Sequence, residues 1–433
     1  MCIYKERVIL QERIKLATGG NADKPSVIEV IDEACDECPI GGIFVTPACR
    51  GCISHACKNH CPKNAIKIID HKATVDQSLC VECEQCVKAC PYGAIIHQHR
   101  PCVSGCKVKA ITVGEDKKAT IDYNKCIACG NCVYQCPFGA VSDKSMILQV
   151  VDMVRGSDNG RNYNMYAIVA PSLAGQFPKV TMEQIVTAII GLGFNKVTEV
   201  ALGADIVLYK EAREFKEKGM LISSCCPSFV SFVEKNFPDL VKYISSTPSP
   251  MIETALLIKQ KDPTAKVVFI GPCTSKKMEY KLPKCGNAID GVMSFEELQA
   301  YFDALNIDVA TCESTTLDDA SFFGRIFARS GGVATGVARV GKDIGVDNIR
   351  PIVMSGIEEC RLNLLKLRLG QTDGNFFEGM ACEGGCINGA VCLHHGIKNI
   401  KKVDKYGSAA SKKTIDESIA PYIDRLLEGE SNE

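Results

Sequence analysis

The chain has 433 residues and a formal net charge of −1, with 46% hydrophobic and 23% charged residues. Its length exceeds what one hydrophobic core usually serves, so we expect two or three domains. The balanced charge does not point to a nucleic-acid or membrane partner. The amino terminus lacks the apolar core of a signal peptide, and there is no apolar run of about 18 residues to span a membrane. These features predict a cytoplasmic protein.

Cysteine is the exception in this composition, with 26 residues, 17 of which precede residue 137. Disulfides are rare in a reducing cytosol, so this density predicts metal binding rather than a disulfide scaffold. Cysteine spacing divides the chain into three parts. Residues 1–48 form a lead-in that carries the pair Cys35 and Cys38. Residues 49–145 are predicted to be an α+β ferredoxin-like domain with several clusters, and residues 150–433 an α/β domain with a helical tail.

Two stretches match the ferredoxin pattern C-x2-C-x2-C-x3-C-P. This spacing wraps a loop around one cubane cluster, and the fourth cysteine reaches a neighbouring cluster. Zinc fits less well, because its four-thiolate sites usually present two separated CxxC pairs. The two runs are Cys80, Cys83, Cys86 and Cys90, and Cys126, Cys129, Cys132 and Cys136.

The other cysteines form less regular groups, and an internal repeat predicts how ligands are shared. The segment from Cys61 to Cys80 parallels the segment from Cys106 to Cys126. In two-cluster ferredoxins the fourth cysteine of one run ligates the cluster of its partner run. The predicted ligand sets are Cys49, Cys52, Cys57 and Cys90; Cys61, Cys80, Cys83 and Cys86; Cys35, Cys38, Cys102 and Cys136; and Cys106, Cys126, Cys129 and Cys132.

An alternative exchanges Cys90 and Cys136 between the two regular runs, although 35 residues (91–125) separate those runs. The sequence therefore predicts two to four accessory 4Fe–4S clusters, with four as the best prediction. A chain of cubanes carries single electrons between a surface partner and a buried site. We expect that site in the α/β domain.

The second half of the chain alternates between strand-like and helix-like patterns. NYNMYAIVAPS and AKVVFIGPC are typical of buried strands that run into loops, whereas MEQIVTAIIGLG and SFEELQAYFDAL are amphipathic at helical spacing. Such alternation predicts a largely parallel sheet. Four cysteines in Gly- or Pro-containing loops could hold one more cubane: Cys226, Cys273, Cys382 and Cys386.

The contexts of these cysteines resemble the signatures of iron-only (FeFe) hydrogenases. SSCCPSF, GPCTSKKMEY and FFEGMACEGGCINGA parallel the motifs TSCCPxW, MPCxxKxxE and ExMxCxGGCxxGGG, and the resemblance covers roughly residues 150–395. It implies an H-cluster, which is a 4Fe–4S cubane joined to a two-iron unit with CO, cyanide and azadithiolate ligands. It also implies the reaction 2H⁺ + 2e⁻ ⇌ H₂, a one-electron carrier such as ferredoxin, and maturation proteins that install the two-iron unit.

The resemblance assigns roles to individual residues around the cofactor. The four loop cysteines would ligate the cubane, and Cys386 would bridge to the two-iron unit. Lys276 would donate to a cyanide. The remaining expected contacts come from Pro171 and Ser172 at the other cyanide, from Met380 near the two-iron unit, and from Gly384 and Gly385, which would let the backbone approach closely.

The resemblance also implies a proton route that starts at Cys225, beside the ligand Cys226. A thiol titrates near neutral pH and can pass a proton in either direction. The further residues that match this route are Glu211, Glu214 and Ser245, while Glu279 closes the second motif. The alternative interpretation of the two glutamates is a solvated helix face with a Glu214–Lys218 pair.

Several positions depart from the family pattern. Gly271 replaces a methionine, Phe229 a tryptophan and Met251 a common glutamine, which leaves the rate, the direction and the oxygen tolerance open. A sensory protein or an Fe–S assembly factor are the alternative functions. Sensory relatives usually carry a regulatory domain, and assembly factors lack the full Lys-x-x-Glu and proton-relay set.

Other potential ligands are assigned to ordinary roles. Cys285, Cys312, Cys360 and Cys392 lack ligand spacing and are interpreted as buried thiols. The histidines that could bind metal, but are interpreted as surface or capping residues, are His97, His99, His394 and His395.

Overall fold

The computed structural model describes residues 2–21, 24–35, 38 and 41–423, except for the side chain of Lys284. The amino-terminal part consists of short helices and two-stranded antiparallel sheets, and the larger carboxy-terminal part is an α/β fold with two parallel sheets. The predicted fold classes are confirmed. The sequence predicts a tail helix for the segment DESIAPYIDRLLEG, residues 416–429, and the part of this segment after residue 423 lies outside the described residues.

The amino-terminal part contains four antiparallel pairs of strands. β1 (Ile28–Val30) pairs with β8 (Val141–Asp143), and β2 (Gly42–Val45) pairs with β5 (Ile95–Gln98). Two strands of the lead-in therefore belong to ladders with residues beyond 49, so the predicted boundary at 48/49 runs through two sheets. The other elements are β3 (Ile66–Ile69) with β4 (Lys72–Val75), β6 (Ile111–Val113) with β7 (Ala119–Ile121), α1 (Ile3–Ala17), α2 (Asp32–Cys35), α3 (Ala56–Asn59), α4 (Gln85–Ala89), α5 (Pro101–Gly105) and α6 (Asn131–Gln135).

Two parallel sheets form the centre of the α/β part. Their strands are β9 (Met165–Val169), β10 (Lys196–Glu199), β11 (Leu221–Ile222), β12 (Lys266–Gly271), β13 (Gly291–Ser294), β14 (Pro351–Ser355) and β15 (Phe376–Met380). The strands β9, β12, β13 and β15 are almost entirely buried, because other elements cover both of their faces, whereas the edge strands β10 and β14 are partly exposed. The first sheet has the order β10-β9-β12-β13 and the second β11-β15-β14.

Helices surround both sheets, and three of them begin with a capping box. Thr181 with Gln184 starts α8, Ser294 with Glu297 starts α13, and Thr414 with Glu417 starts α18. The α-helices of this part are α7 (Ile147–Ser157), α8 (Met182–Gly191), α9 (Val200–Lys218), α10 (Pro227–Asn236), α11 (Pro250–Lys261), α12 (Lys276–Glu279), α13 (Phe295–Ala304), α14 (Phe322–Ile326), α15 (Gly332–Asp343), α16 (Ile357–Arg368), α17 (Lys398–Ser408) and α18 (Ile415–Ile419). In the part of the chain that the structure describes, none of the helices combines the length and the apolar character that a membrane crossing requires.

A buried cation joins the two parts. The Lys277 ammonium lies 2.8 Å from Asp143 on β8 and 2.8 Å from Glu297 on α13, and it donates to the carbonyl of Lys144 at 3.0 Å. Burial works against a charge here, but the two carboxylates raise the pKa of Lys277 above its usual value. This network fixes the last strand of the amino-terminal part against the α/β part.

Lys277→Met should destabilise the junction strongly. The substitution leaves two buried carboxylates without a cation, and breaking a buried ion pair on one side costs about 3–5 kcal/mol. Lys266→Met is the matched control. It removes a more exposed partner of Asp290, which keeps Lys259, and should cost less than about 1 kcal/mol. Anaerobic guanidinium unfolding of the cluster-loaded protein measures both, and equal losses would contradict this role of Lys277.

Candidate active site and cluster-binding loops

The candidate active site lies where strands of both parallel sheets end. β9 leads into Pro171, β12 into Cys273, β11 into the pair that ends at Cys226, and β15 into Cys382. The carboxyl ends of parallel strands meet at one edge, and this is where α/β proteins usually bind ligands. Residues that are up to about 200 positions apart are thereby brought together.

An apolar cavity of about 80 Å³ lies between these loops. Its lining includes Pro171, Cys225, Cys226, Cys273, Lys276, Met380 and Cys386. Cys382 lies behind the cavity, on an adjoining cleft that also contains Cys106 and Cys129. Burial, followed by the charges of Cys273, Cys226 and Cys386, raises the pKa of Cys382. The structure therefore brings all four predicted cubane ligands together.

The backbone around two of these cysteines explains their placement. Pro227 occupies the first position of α10, directly after Cys226, so the positive end of the helix dipole lies at this sulfur. Cys386 follows Gly384 and Gly385, whose φ angles are 83° and 92°. A Cβ on Gly385 would lie 2.7 Å from the backbone nitrogen of Ser330. Position 385 therefore requires glycine, because any side chain would collide with the backbone of the neighbouring segment.

Polar groups near the cavity fit a cofactor with negatively charged ligands. The Lys276 ammonium is buried, donates to Glu279 at 2.6 Å and reaches the Cys225 carbonyl at 3.4 Å. Glu279 also accepts from Ser249 at 3.1 Å, so it positions Lys276 and is not part of the chain of groups that leads from Glu211 to the surface. Among the described residues, the buried Ser172 hydroxyl has no partner, which leaves a free donor beside Pro171. These groups fit the predicted H-cluster.

Cys225 and Glu211 form the inner end of the predicted proton route. Glu211 is fully buried; one carboxyl oxygen accepts from the Ser224 amide at 3.3 Å, and the other has no partner within the described residues. Burial raises the pKa of Glu211 to about 8. Burial and then the Glu211 charge raise the pKa of Cys225 well above its usual value, so the two groups are neighbours. At neutral pH Glu211 is therefore a protonated acid.

The outer end of the route is Glu214, one turn further along α9. It accepts from the Ser245 hydroxyl at 2.6 Å and from Lys218 at 2.6 Å, and the Lys218 side chain is 43% exposed. Burial opposes the charge of Glu214, but the hydrogen bonds from Lys218 and Ser245 lower its pKa. The helix-surface interpretation therefore holds only for Glu214, which pairs with Lys218 and also contacts Ser245. It is wrong for Glu211, which is fully buried.

Glu378 is a buried acid that the sequence analysis did not single out. Its carboxylate accepts from the amides of Gly331 and Ala334, each at 2.8 Å, at the start of α15. Burial raises the pKa of Glu378 to about 7. Its charge also raises the pKa of Glu211. Two features of the sequence could have identified Glu378: it is an acid within the apolar segment FFEGM, and it matches the glutamate of the third motif.

The departures from the family motifs alter the cavity wall. A Cβ built on Gly271 would overlap the ring of Phe269, which lines the cavity. The ring of Phe269, two residues upstream, therefore occupies the space that a methionine side chain at position 271 would need. Phe229 packs on Gly379 in the same way, and Met251 contributes a further apolar group to the cavity.

The structure also brings together each of the four predicted accessory sets. In each set the thiols lie close enough for the charge of one to raise the pKa of another, in addition to the effect of burial. Cys57 is affected by Cys52, Cys90 and Cys49; Cys86 by Cys61 and Cys80; Cys102 by Cys136, Cys35 and Cys38; and Cys132 by Cys129, Cys126 and Cys106. Cys83 lies with Cys61, Cys80 and Cys86 around one small cavity. Cluster binding by these sets stays a prediction.

One accessory set lies directly against the candidate active site. Thr274, next to the ligand Cys273, donates to the carbonyl of Ala128 at 2.7 Å. Lys235 on α10 donates to the carbonyl of Cys126 at 2.6 Å. Burial raises the pKa of Cys129 to about 12, and the charge of Cys226 contributes. These contacts place the 126–132 loop next to the predicted cubane.

Comparison with known proteins agrees with this architecture. Residues 163–390 match the family described as "Iron only hydrogenase large subunit, C-terminal domain". The chain belongs to the iron-only hydrogenase family. Residues 73–96 and 119–142 match the 4Fe-4S binding domain family, which supports iron–sulfur clusters in the amino-terminal part.

Individual relatives include both enzymes and an assembly factor. Iron hydrogenase 1 of Clostridium pasteurianum is 28% identical, over 81% of this chain and 70% of that protein. The cytosolic Fe-S cluster assembly factor NAR1 of Eremothecium gossypii is 24% identical, over 50% of this chain and 63% of that protein. The structure of [FeFe]-hydrogenase HydA1 from Chlamydomonas reinhardtii has a TM-score of 0.55 and 19% identity, over 66% of this chain and 94% of that one, which shows a shared fold.

Glu211→Gln should make the protein less sensitive to alkaline pH. The pKa of Glu211 is raised in the folded state, so folding stability is lost as the pH rises from the unfolded value near 4.5 to about 8. A neutral glutamine removes that loss. The variant should match the parent at pH 5 and melt at a higher temperature at pH 8. The exposed Glu217→Gln on the same helix should show no such change between the two pH values, and identical behaviour of both variants would contradict the buried-acid interpretation.

Gly271→Met should be tolerated only when Phe269 is also shortened. Overpacking against the ring should cost about 1–3 kcal/mol, whereas Phe269→Ala opens that space at its own cost. The double variant should therefore lose at least about 1 kcal/mol less than the sum of the single losses. Gly191→Ala, with 3.6 Å from the new Cβ to Ile307, is the control and should be nearly neutral. Additive losses in anaerobic unfolding would contradict the overlap.

Proposed function

We propose that the chain catalyses 2H⁺ + 2e⁻ ⇌ H₂ at an H-cluster in the apolar cavity. The proposed cubane ligands are Cys226, Cys273, Cys382 and Cys386, with Cys386 as the bridge to the two-iron unit. When bound, this cofactor supplies the metal centre at which the H–H bond is made or broken. The observation that supports the proposal is the position of Cys225: its thiol lines the same cavity as three proposed ligands and adjoins the buried Glu211.

Cys225 and Glu211 are proposed to carry protons, with Ser245 and Glu214 completing the route to the surface. A group transfers protons efficiently when its pKa is near the working pH, and the pKa of Glu211 is about 8. Ser245 is buried and donates to Glu214, whose partner Lys218 is half-exposed. The proposed route thus runs from the cavity to solvent through side chains of α9 and of the loop that follows the short 3-10 helix Pro238–Tyr243.

Electrons are proposed to pass through four accessory 4Fe–4S clusters. The set that contains Cys126 and Cys129 lies against the cubane loops and would deliver electrons to it. The exposed Cys83 belongs to a set that is open to a surface partner. A ferredoxin or similar one-electron carrier fits this arrangement, and maturation proteins would supply the two-iron unit.

A low-activity or sensory protein with the same cofactor is the second candidate. The cavity wall favours it, because Met251 and the ring of Phe269 replace groups typical of the family. Infrared spectroscopy of anaerobically matured protein tests both candidates. CO and cyanide bands are expected, and hydrogen evolution from a reduced viologen then separates an enzyme from a sensor. Absence of these bands would exclude both and favour an assembly factor.

Cys225→Ala and Cys226→Ala should have different effects although the residues are adjacent. Cys225→Ala keeps every proposed ligand, so the infrared bands should remain while hydrogen evolution falls at least about 100-fold, the lower end of what a positioned acid contributes. Cys226→Ala removes a ligand and should lose the cubane, seen as four fewer iron atoms or more. Retained turnover in Cys225→Ala would contradict the proton role, and retained iron in Cys226→Ala would contradict the ligand role.

A further inference from the structure

A second group of metal-ligating side chains lies on the amino-terminal part, away from the apolar cavity. Glu84, His97 and His99 each offer one ligand atom, and these atoms lie within 4.8 Å of one another. Glu84 belongs to the loop between Cys83 and Cys86, whereas His97 lies on β5 and His99 follows it. The pairing of β5 with β2 and the cysteine loop bring them together.

The hydrogen bonds within this group resemble a metal site with an outer carboxylate. His97 Nδ1 lies 2.7 Å from Glu84 and its Nε2 lies 3.0 Å from Glu82, while His99 Nε2 lies 3.9 Å from the same Glu84 oxygen. The two imidazole rings are 3.6 Å apart between centroids. A metal-binding histidine usually donates its other ring N–H to a carboxylate, and Glu82 stands in that position.

We propose that Glu84, His97 and His99 bind a divalent transition-metal ion such as Zn²⁺, with Glu82 orienting His97. Imidazole nitrogen and carboxylate oxygen are common ligands of Zn²⁺ and of other first-row divalent ions. Three protein ligands leave one tetrahedral position for water. The side chain of His97 is only 11% exposed, so one ligand is already held in place.

The internal repeat provides a comparison within the same chain. By sequence alignment of the two cysteine runs, Glu82 and Glu84 correspond to Ala128 and Gly130, which have the same left-handed backbone (φ 52° and 58° against 54° and 77°). His97 and His99 correspond to Asp143 and Ser145. The loop conformation is therefore common to both units, and the four donor side chains are specific to the first. The ferredoxin-type backbone alone does not account for them.

Zinc binding to the full-length, cluster-loaded protein tests the proposal. Loaded clusters keep the cysteines from competing for the probe. Anaerobic equilibrium dialysis against Zn²⁺ should show one tight equivalent per chain. His97→Ala, His99→Ala and Glu84→Gln should each weaken it at least 10-fold, and Glu82→Gln about 10–100-fold, as expected for an outer partner. His71→Asn, an exposed histidine outside the group, is the matched control and should bind like the parent.

X-ray absorption at the zinc edge distinguishes this site from zinc bound to cysteine. The expected first shell contains nitrogen and oxygen at about 2.0–2.2 Å, whereas sulfur would appear at about 2.3 Å. Unchanged iron content in each variant shows that the clusters are intact. A sulfur shell, binding that survives the His97 and His99 substitutions, or the absence of a tight equivalent would overturn the proposal. The test requires no hydrogenase activity and so is independent of the proposed function.

Discussion

Lys277 is a buried cation held by a carboxylate from each part of the protein, and the segment that carries it also contributes Cys273 and Lys276 to the candidate site. Four residues of this segment have separate roles. Cys273 is a proposed ligand, Thr274 donates a hydrogen bond to the 126–132 loop, Lys276 lines the cavity, and Lys277 joins the two parts. Because one short segment carries all four, a shift in the docking of the two parts would move the proposed ligand and the cavity cation together. A buried ion pair contributes little net stability, but removal of one partner is strongly destabilising. Such a pair suits a junction that would hold the proposed cubane and the nearest proposed accessory cluster at a fixed separation.

Two buried carboxylic acids, Glu211 and Glu378, lie near Cys225 at one end of the cavity. Glu378 and Glu211 both have pKa values raised mainly by burial, and the charge of either raises the pKa of Cys225. Raised pKa values keep the number of negative charges low beside the site of the proposed H-cluster, whose cyanide ligands are anionic. The amide donors at the start of α15 give Glu378 a place where a charge is tolerated, whereas Glu211 has an oxygen without a partner among the described residues. This difference fits the proton-carrying role proposed for Glu211, whose pKa the charge of Glu378 raises further.

Local patterns predicted much of the fold and of the candidate site. The strand-to-loop motifs around Cys226, Cys273 and Cys382 were recognisable because parallel strands end at one edge, and the repeat predicted which cysteines would meet. Features that depend on distant packing were not predictable. The sequence gives no sign that β1 pairs with β8, that Lys277 bridges Asp143 and Glu297, or that Phe269 fills the space above Gly271. Glu378 matches the glutamate of the third motif, but the sequence does not indicate that it would be buried near Glu211.

The two cysteine-run units show how packing selects side chains on an identical backbone. At the helix start of the second unit, a Cβ on Gly130 would lie 2.5 Å from the Thr274 hydroxyl, so docking on the α/β part excludes any side chain there. The same left-handed position in the first unit is Glu84, whose side chain is 43% exposed and contacts His97. Burial thus requires the glycine in one unit, and exposure permits a ligand in the other. A cation bound at Glu84 would lie beside the loop of an accessory cluster and would favour its reduced, more negative state. The two units therefore differ in what their shared loop position can hold: the docked unit allows only glycine there, and the exposed unit carries a side chain of the proposed metal site.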